Sequence, residues 1–182
     1  VKSAGTLGFA YAVLGFATLS VGDAVIKSMA GEWPPYAVAA LRFSMGACGL
    51  ALLLWRSEGP KSLIPASPWL QAARGFCVAT ASMCFFSAIY VMPLAEALAI
   101  GFLSPILVQI FAGIILKERV SVRGYAVSLL ALAGVASVLR PNLALLGWAA
   151  LLPLVSAVFF ALLMVLNRMS AGRSSALAAQ VY

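Results

Sequence analysis

The sequence contains no histidine and only five acidic residues among 182. Acid–base and metal chemistry draw mainly on those side chains, so no cluster of nucleophile, base or metal ligands can be assembled, and an integral-membrane enzyme is disfavoured. No cofactor is expected. Charged residues make up 9% of the chain, against about 25% in an ordinary soluble domain. Such a chain cannot cover a water-exposed shell. The three cysteines, Cys48, Cys77 and Cys84, lie inside apolar runs without CxxC spacing. They read as small packing residues rather than a disulfide or metal framework. The net charge of +7 comes from basic residues placed singly at the ends of apolar runs. Without a basic patch, nucleic acid is excluded as a partner. The alternating pattern of a membrane β-barrel is also missing, as is a ring-forming filter motif of a channel.

What is abundant is apolar surface: 64% of residues are hydrophobic and the mean hydropathy is +1.06. A lipid bilayer accommodates this composition, because its ~30 Å core takes about 20 apolar residues of helix to cross. Backbone groups in lipid must pair within their own segment, so these runs are helices. Six spans are drawn at 5–29, 35–55, 75–92, 94–116, 122–139 and 146–167, with a seventh beginning near Ser175. Between them lie Gly31 to Pro35, Arg56 to Pro68, Met92-Pro93, Lys117 to Arg123, Arg140-Pro141-Asn142 and Asn167 to Ser174. Proline at or before a helix start suits its fixed φ and missing donor. The partners this implies are the lipid bilayer and a small-molecule substrate.

With the N-terminus inside, one face holds Lys2, Arg56, Lys61, Arg74, Lys117, Arg119, Arg123, Arg168 and Arg173, and the other holds Lys27 and Arg140. That asymmetry predicts a multi-pass protein of the cell (inner) membrane with a cytoplasmic N-terminus. The chain opens on Val1, and its first apolar run is too long for a signal-peptide core, so it is expected to be clipped at its start.

Span one ends Lys27-Ser28-Met29-Ala30-Gly31 and span six ends Arg168-Met169-Ser170-Ala171-Gly172, a constant offset of 141. An odd number of spans separates each copy from the other, so they cross in opposite directions. That is the mark of an inverted-topology repeat, common in secondary transporters. The expected fold is therefore all-α: a polytopic transmembrane bundle built on an inverted five-helix repeat. Residues 1–141 form the first repeat. Residues 142–182 start the second, which is expected to be cut short at the C-terminus. A homodimer in which each copy supplies the other's missing half is the alternative, opposed by the strong charge bias.

The order Pro93-Leu94-Ala95-Glu96-Ala97, Leu103-Ser104-Pro105, Leu116-Lys117-Glu118-Arg119, Arg123-Gly124, Gly134-Val135 and Arg140-Pro141 resembles the EamA family of the drug/metabolite transporter superfamily. Upstream, Asp23-Ala24-Val25-Ile26-Lys27, Pro35 and Leu41-Arg42-Phe43 are similar to that family's first two spans. The resemblance implies ten helices in two inverted halves, both termini cytoplasmic, and alternating access around a central cavity. It also implies a cargo of amino acids, nucleobase-like compounds, vitamins or other small metabolites, often moved outward.

Seven residues are candidates for substrate binding. Asp23 and Lys27 stand four apart on span one and can pair with each other, at the outer interface or on a cavity wall. Arg42 lies ~10 Å inside span two. It either snorkels outward or faces the cavity and holds an anion, with Asp23 as its other potential partner. In span four, Pro105 removes the hydrogen bond to the Gly101 carbonyl and is expected to leave an acceptor near mid-membrane beside Ser104 and Gln109. Glu96, in the first turn of that helix, suits the helix dipole or a gating or proton-coupling role. Tyr90, with Phe85 and Phe86, can stack on a ring-bearing substrate. The excess of Lys27 and Arg42 over Asp23 suggests a carboxylate on the substrate. Gly46, Ala47, Gly49 and Gly134 are expected at close helix contacts. Glu118 and Arg119 are expected to anchor the turn before span five, which Ser121 would cap.

Overall fold

The computed structural model describes residues 2–63, 65, 67–118, 122–139, 147–171, 175 and 177–181. The elements are α1 (Lys2–Ser28), α2 (Pro35–Glu58), α3 (Pro68–Val91), α4 (Leu94–Gly101), α5 (Ser104–Ile115), α6 (Val122–Leu139), α7 (Leu151–Ser170) and α8 (Ala178–Val181). Single 3₁₀ turns lie at Pro60–Leu63 and Gly147–Ala150. Arg119 and Ser121, the Arg140-Pro141-Asn142 connection and Gly172 to Ser174 lie outside the described residues.

Local chemistry sets the ends. Pro34 and Pro35 start α2, with Pro35 at its first position, where no amide hydrogen is needed. Gly59, at φ +82°, stops it and donates its N–H to the Trp55 carbonyl. Gly59 takes a conformation that other residues adopt only under strain. Pro68 starts α3 in the same manner. The third span therefore begins at Pro68 rather than residue 75, drawing Gln71 and Arg74 into the helix.

The expected fourth span is two helices. Phe102 and Leu103 form the joint between α4 and α5, with Pro105 in the first turn of α5. Counted across that joint, Leu94–Ile115 is one of five segments long and apolar enough to cross a membrane. The others are Leu7–Ser28, Pro35–Glu58, Pro68–Val91 and Gly147–Ser170. The remaining expected span, α6, is shorter: its 18 residues extend ~27 Å.

The best-packed pair is α3 with α7. Ser156 Oγ donates to the Ala81 carbonyl at 2.7 Å, and Phe76 meets Phe159 edge to face at 5.8 Å. Near its other end α7 accepts a hydrogen bond from Arg74 on Asn167. As position rises along α3 it falls along α7, so the two are antiparallel. The C-terminal end of α1 meets the opposite end of α3, where Lys27 reaches Ile89 and Met92. The ends of α1 and α7 therefore lie at opposite ends of α3, and the two helices run in opposite senses.

Small residues at the contacts make close approach feasible: Ala157 and Ala161 of α7 and Ala81 of α3 are buried. The glycines expected there are elsewhere. Gly46, Gly49 and Gly134 have no heavy atom within 4 Å of an added Cβ, and Ala47 is exposed. Gly46, Ala47 and Gly49 lie on an exposed stretch of α2, and Gly134 lines an open groove between α4 and α6, where the helices stand apart. The core joins Ile26, Val38, Ala39, Phe86, Ala88, Ile89, Met92 and Ala97 from the first four helices.

Outside that core, α1, α2 and α6 present large apolar side chains such as Phe9, Phe16, Met45 and Leu130. In water such a surface would drive aggregation; in lipid it is the ordinary exterior. All four tryptophans lie exposed at or near helix ends, Trp69 and Trp148 by 89% and 87%. Trp55 and Trp69 mark one end of the bundle, and Trp33 and Trp148 the other, as interfacial aromatic belts require.

Candidate functional site

Among the described residues, three polar constellations lie within the spans. The first joins α1, α2 and α3. Arg42 Nη1 donates to Asp23 Oδ1 at 3.2 Å, and its guanidinium lies over the Phe86 ring, 5.6 Å from the centroid. The guanidinium also packs against α1 at Gly22, where an added Cβ would stand 3.8 Å from Arg42 Nη2, an ordinary van der Waals contact. The side chains of Arg42 and Asp23 stay 32% and 18% exposed. A charged pair at this depth is costly against lipid, which favours a protein-lined or watered surface.

Asp23 does not pair with Lys27. Lys27 Nζ instead donates to the carbonyls of Ile89 and, at 3.0 Å, Met92. The carbonyl of Ile89 would normally accept from residue 93, which is proline and has no N–H. Lys27 fills that vacancy and adds its charge where the dipole of α3 is negative. Tyr90, one turn beyond Phe86, packs on the core, and its buried hydroxyl has no hydrogen-bond partner among the described residues. Glu96 sits half-buried in the first turn of α4.

The second constellation is the α4–α5 joint. Ser104 Oγ donates to the Gly101 carbonyl at 2.7 Å. The acceptor that Pro105 frees is thus satisfied locally, so the joint offers no open carbonyl there to a ligand. Gln109 is drawn away from it, donating to Ser128 Oγ of α6 at 2.6 Å and to its own helix at Pro105. These residues hold helices together.

The third constellation escaped the reading of the sequence. Arg74, only 5% exposed, donates to Gln71 and, at 2.6 Å, to Asn167 of α7. Its place near a span end makes it look like an ordinary flanking charge. The available signal was Gln71 one turn before it, a second polar group on the same helix face. Beyond Arg74, Arg168 pairs with Glu118 at 3.0 Å on the exposed surface.

An open groove of about 810 Å³ between α4 and α6 is lined by Leu94, Ala95, Leu98, Phe102, Ala131, Gly134 and Val135. It carries no charged or hydrogen-bonding side chain, so it does not supply a polar handle. Among the described residues no group of three or more metal-ligating side chains forms.

Residues 6–140 match the sequence profile of the EamA-like transporter family. The chain belongs to that family. Its relatives include the pseudopaline exporter CntI of Pseudomonas aeruginosa, in two strains, 31% identical over 134 residues that cover 74% of this chain and 46% of the relative. The aromatic amino acid exporter YddG of Ancylobacter novellus is 33% identical over 135 residues, 73% of this chain and 45% of that protein. The chain thus spans about half the length of the curated relatives it matches. No solved structure gives a significant match. EamA membership and the lipid-suited exterior make this a multi-pass membrane protein of a transporter family, whose relatives are named as exporters.

Proposed function

We propose that the chain is part of a secondary active transporter that exports or exchanges small metabolites such as amino acids, by alternating access around a central cavity. Residues 1–141 are the first five-helix repeat, and residues 142–182 begin an inverted second one. The N-terminus is cytoplasmic in the inner membrane. The opposite senses of α1 and α7 support the repeat, since an inverted copy demands them. The names of the relatives support small organic cargo and a role other than catalysis.

The observation that carries the reading is the Asp23–Arg42 pair inside the spans, partly accessible and backed by Phe86. Ionisable groups at membrane depth are costly, so a retained and reachable pair points to cargo. Of the seven candidates, Asp23 and Arg42 form the site, with Tyr90, one turn beyond Phe86 on α3, and Glu96, in the first turn of α4, as further candidates. Lys27, Ser104 and Gln109 support the helices around it.

Counterflow in proteoliposomes tests this: the full-length protein, preloaded with an unlabelled amino acid mixture, should accumulate labelled amino acids. Arg42→Ala should reduce that flux at least ~10-fold, the loss expected for a charge-assisted hydrogen bond, while the protein still inserts. Flux unchanged by the substitution would remove Arg42 from the site.

A further inference from the structure

Resting on the transporter reading, we infer that Arg74 and Asn167 are the latch of an inner gate. On that reading α3 belongs to the first repeat and α7 to the second, and the two helices part at this end when the cavity opens to the cytoplasm. The polar ties between them are unevenly placed. Ser156 bonds to the Ala81 carbonyl near mid-span, and Arg74 bonds to Asn167 towards the inner end. Beside Asn167, Arg168 pairs with Glu118 just beyond α5. At the opposite end Leu152 packs against the apolar core of the first four helices.

The latch is shut in the structure. Arg74, Cys77 and Ala81 stand three and four positions apart, so they share one face of α3. Arg74 and Ala81 both meet α7, which places Cys77 in the same seam. Arg74 and Cys77 are 5% and 6% exposed. Further helices would add cover to them and remove none. Gln71, one turn earlier, accepts from the same guanidinium and steadies it against α7.

The position of the latch lets it open. Arg74 lies ~9 Å from the start of α3, and Asn167 is about a turn from the end of α7 at Ser170. If the helices separate here, the arginine stem can carry its head out to the interface, and water replaces the lost hydrogen bonds. The Ser156 contact lies deeper, where no water is at hand. It is the pivot, and the Arg74 end is the part that swings.

Cys77 is a built-in reporter. The experiment uses the full-length protein with Cys77 as its sole cysteine, in oriented vesicles, and a charged maleimide that does not cross the bilayer. Labelling should come from the cytoplasmic face. Asn167→Ala removes one hydrogen bond to a charged group and should speed labelling at least ~10-fold. Asn167→Asp gives Arg74 a carboxylate and should slow both labelling and amino acid counterflow, by ~3-fold or more. A misfolded variant would label faster, so slow labelling of the aspartate variant cannot arise from misfolding. A residue that only stabilises the fold would leave counterflow in that variant unchanged. Labelling from the outer face, or labelling and counterflow unaltered by Asn167→Asp, overturns the inference and leaves the transporter reading standing. Absence of counterflow for every solute class overturns both.

Discussion

Lys27 Nζ donates to the Ile89 carbonyl, the acceptor that Pro93 deprives of its helical donor. One side chain on α1 thereby completes the end of α3, 62 positions away in sequence. The same vacancy at Gly101, created by Pro105, is filled from within the helix by Ser104. Two prolines pose the same problem, and the fold answers it once at long range and once locally.

Lys27→Met should therefore destabilise the protein by about 1–3 kcal/mol, the cost of a buried acceptor left unpaired. Thermal unfolding in detergent should show a lower midpoint, with Lys27→Arg restoring part of it. An unchanged midpoint for the methionine variant would mean the α3 end needs no cap.

At the helix joint the effects should be non-additive. Ser104→Ala alone strands the Gly101 carbonyl, at a cost of about 1 kcal/mol. Pro105→Ala returns an N–H that can reach the same acceptor. The double variant should then be less destabilised than the sum of the single ones, by roughly 0.5–1 kcal/mol. A double-mutant cycle by chemical or thermal unfolding measures this, and strict additivity would contradict it.

Two glycines should respond differently to alanine. At Gly124 the new methyl would stand 2.7 Å from Gln109 Oε1, so the amide must move and its bond to Ser128 is put at risk. The expected cost is about 1 kcal/mol. At Gly134 nothing lies within 4 Å, and alanine should be neutral or stabilise by up to about 1 kcal/mol through helix propensity. Equal effects at the two sites would argue against the α5–α6 contact.

The Glu118–Arg168 pair offers a contrast. Both side chains are about half exposed, and ion pairs of that kind contribute at most about 1 kcal/mol. Glu118→Gln should leave the unfolding midpoint nearly unchanged, whereas Asn167→Ala, next to Arg168, should lower it clearly by stripping a partner from buried Arg74. A larger loss at Glu118 than at Asn167 would reverse that ranking.

Hydropathy and helix punctuation are one-dimensional quantities, and they were sufficient for the all-helical, membrane-embedded character of this chain. Pro35, Gly59 and Pro93 mark ends wherever the rest of the protein lies, because a missing donor or a positive φ acts locally. Pro68 likewise sets the start of α3 locally, but that Gln71 and Arg74 belong inside the packed bundle rather than at its flank shows only when Asn167 on α7 receives Arg74. Partnership is not a local property. That Asp23 and Lys27 share a face of α1 is helix geometry, yet which of them meets Arg42 depended on where α2 and α3 lay. Similarly, Pro105 announces a freed carbonyl, but only a side-chain rotamer decides that Ser104 closes it. Residues near in sequence have their relations set by backbone geometry; those brought together from different helices have theirs set by packing, which the order of amino acids specifies but does not display.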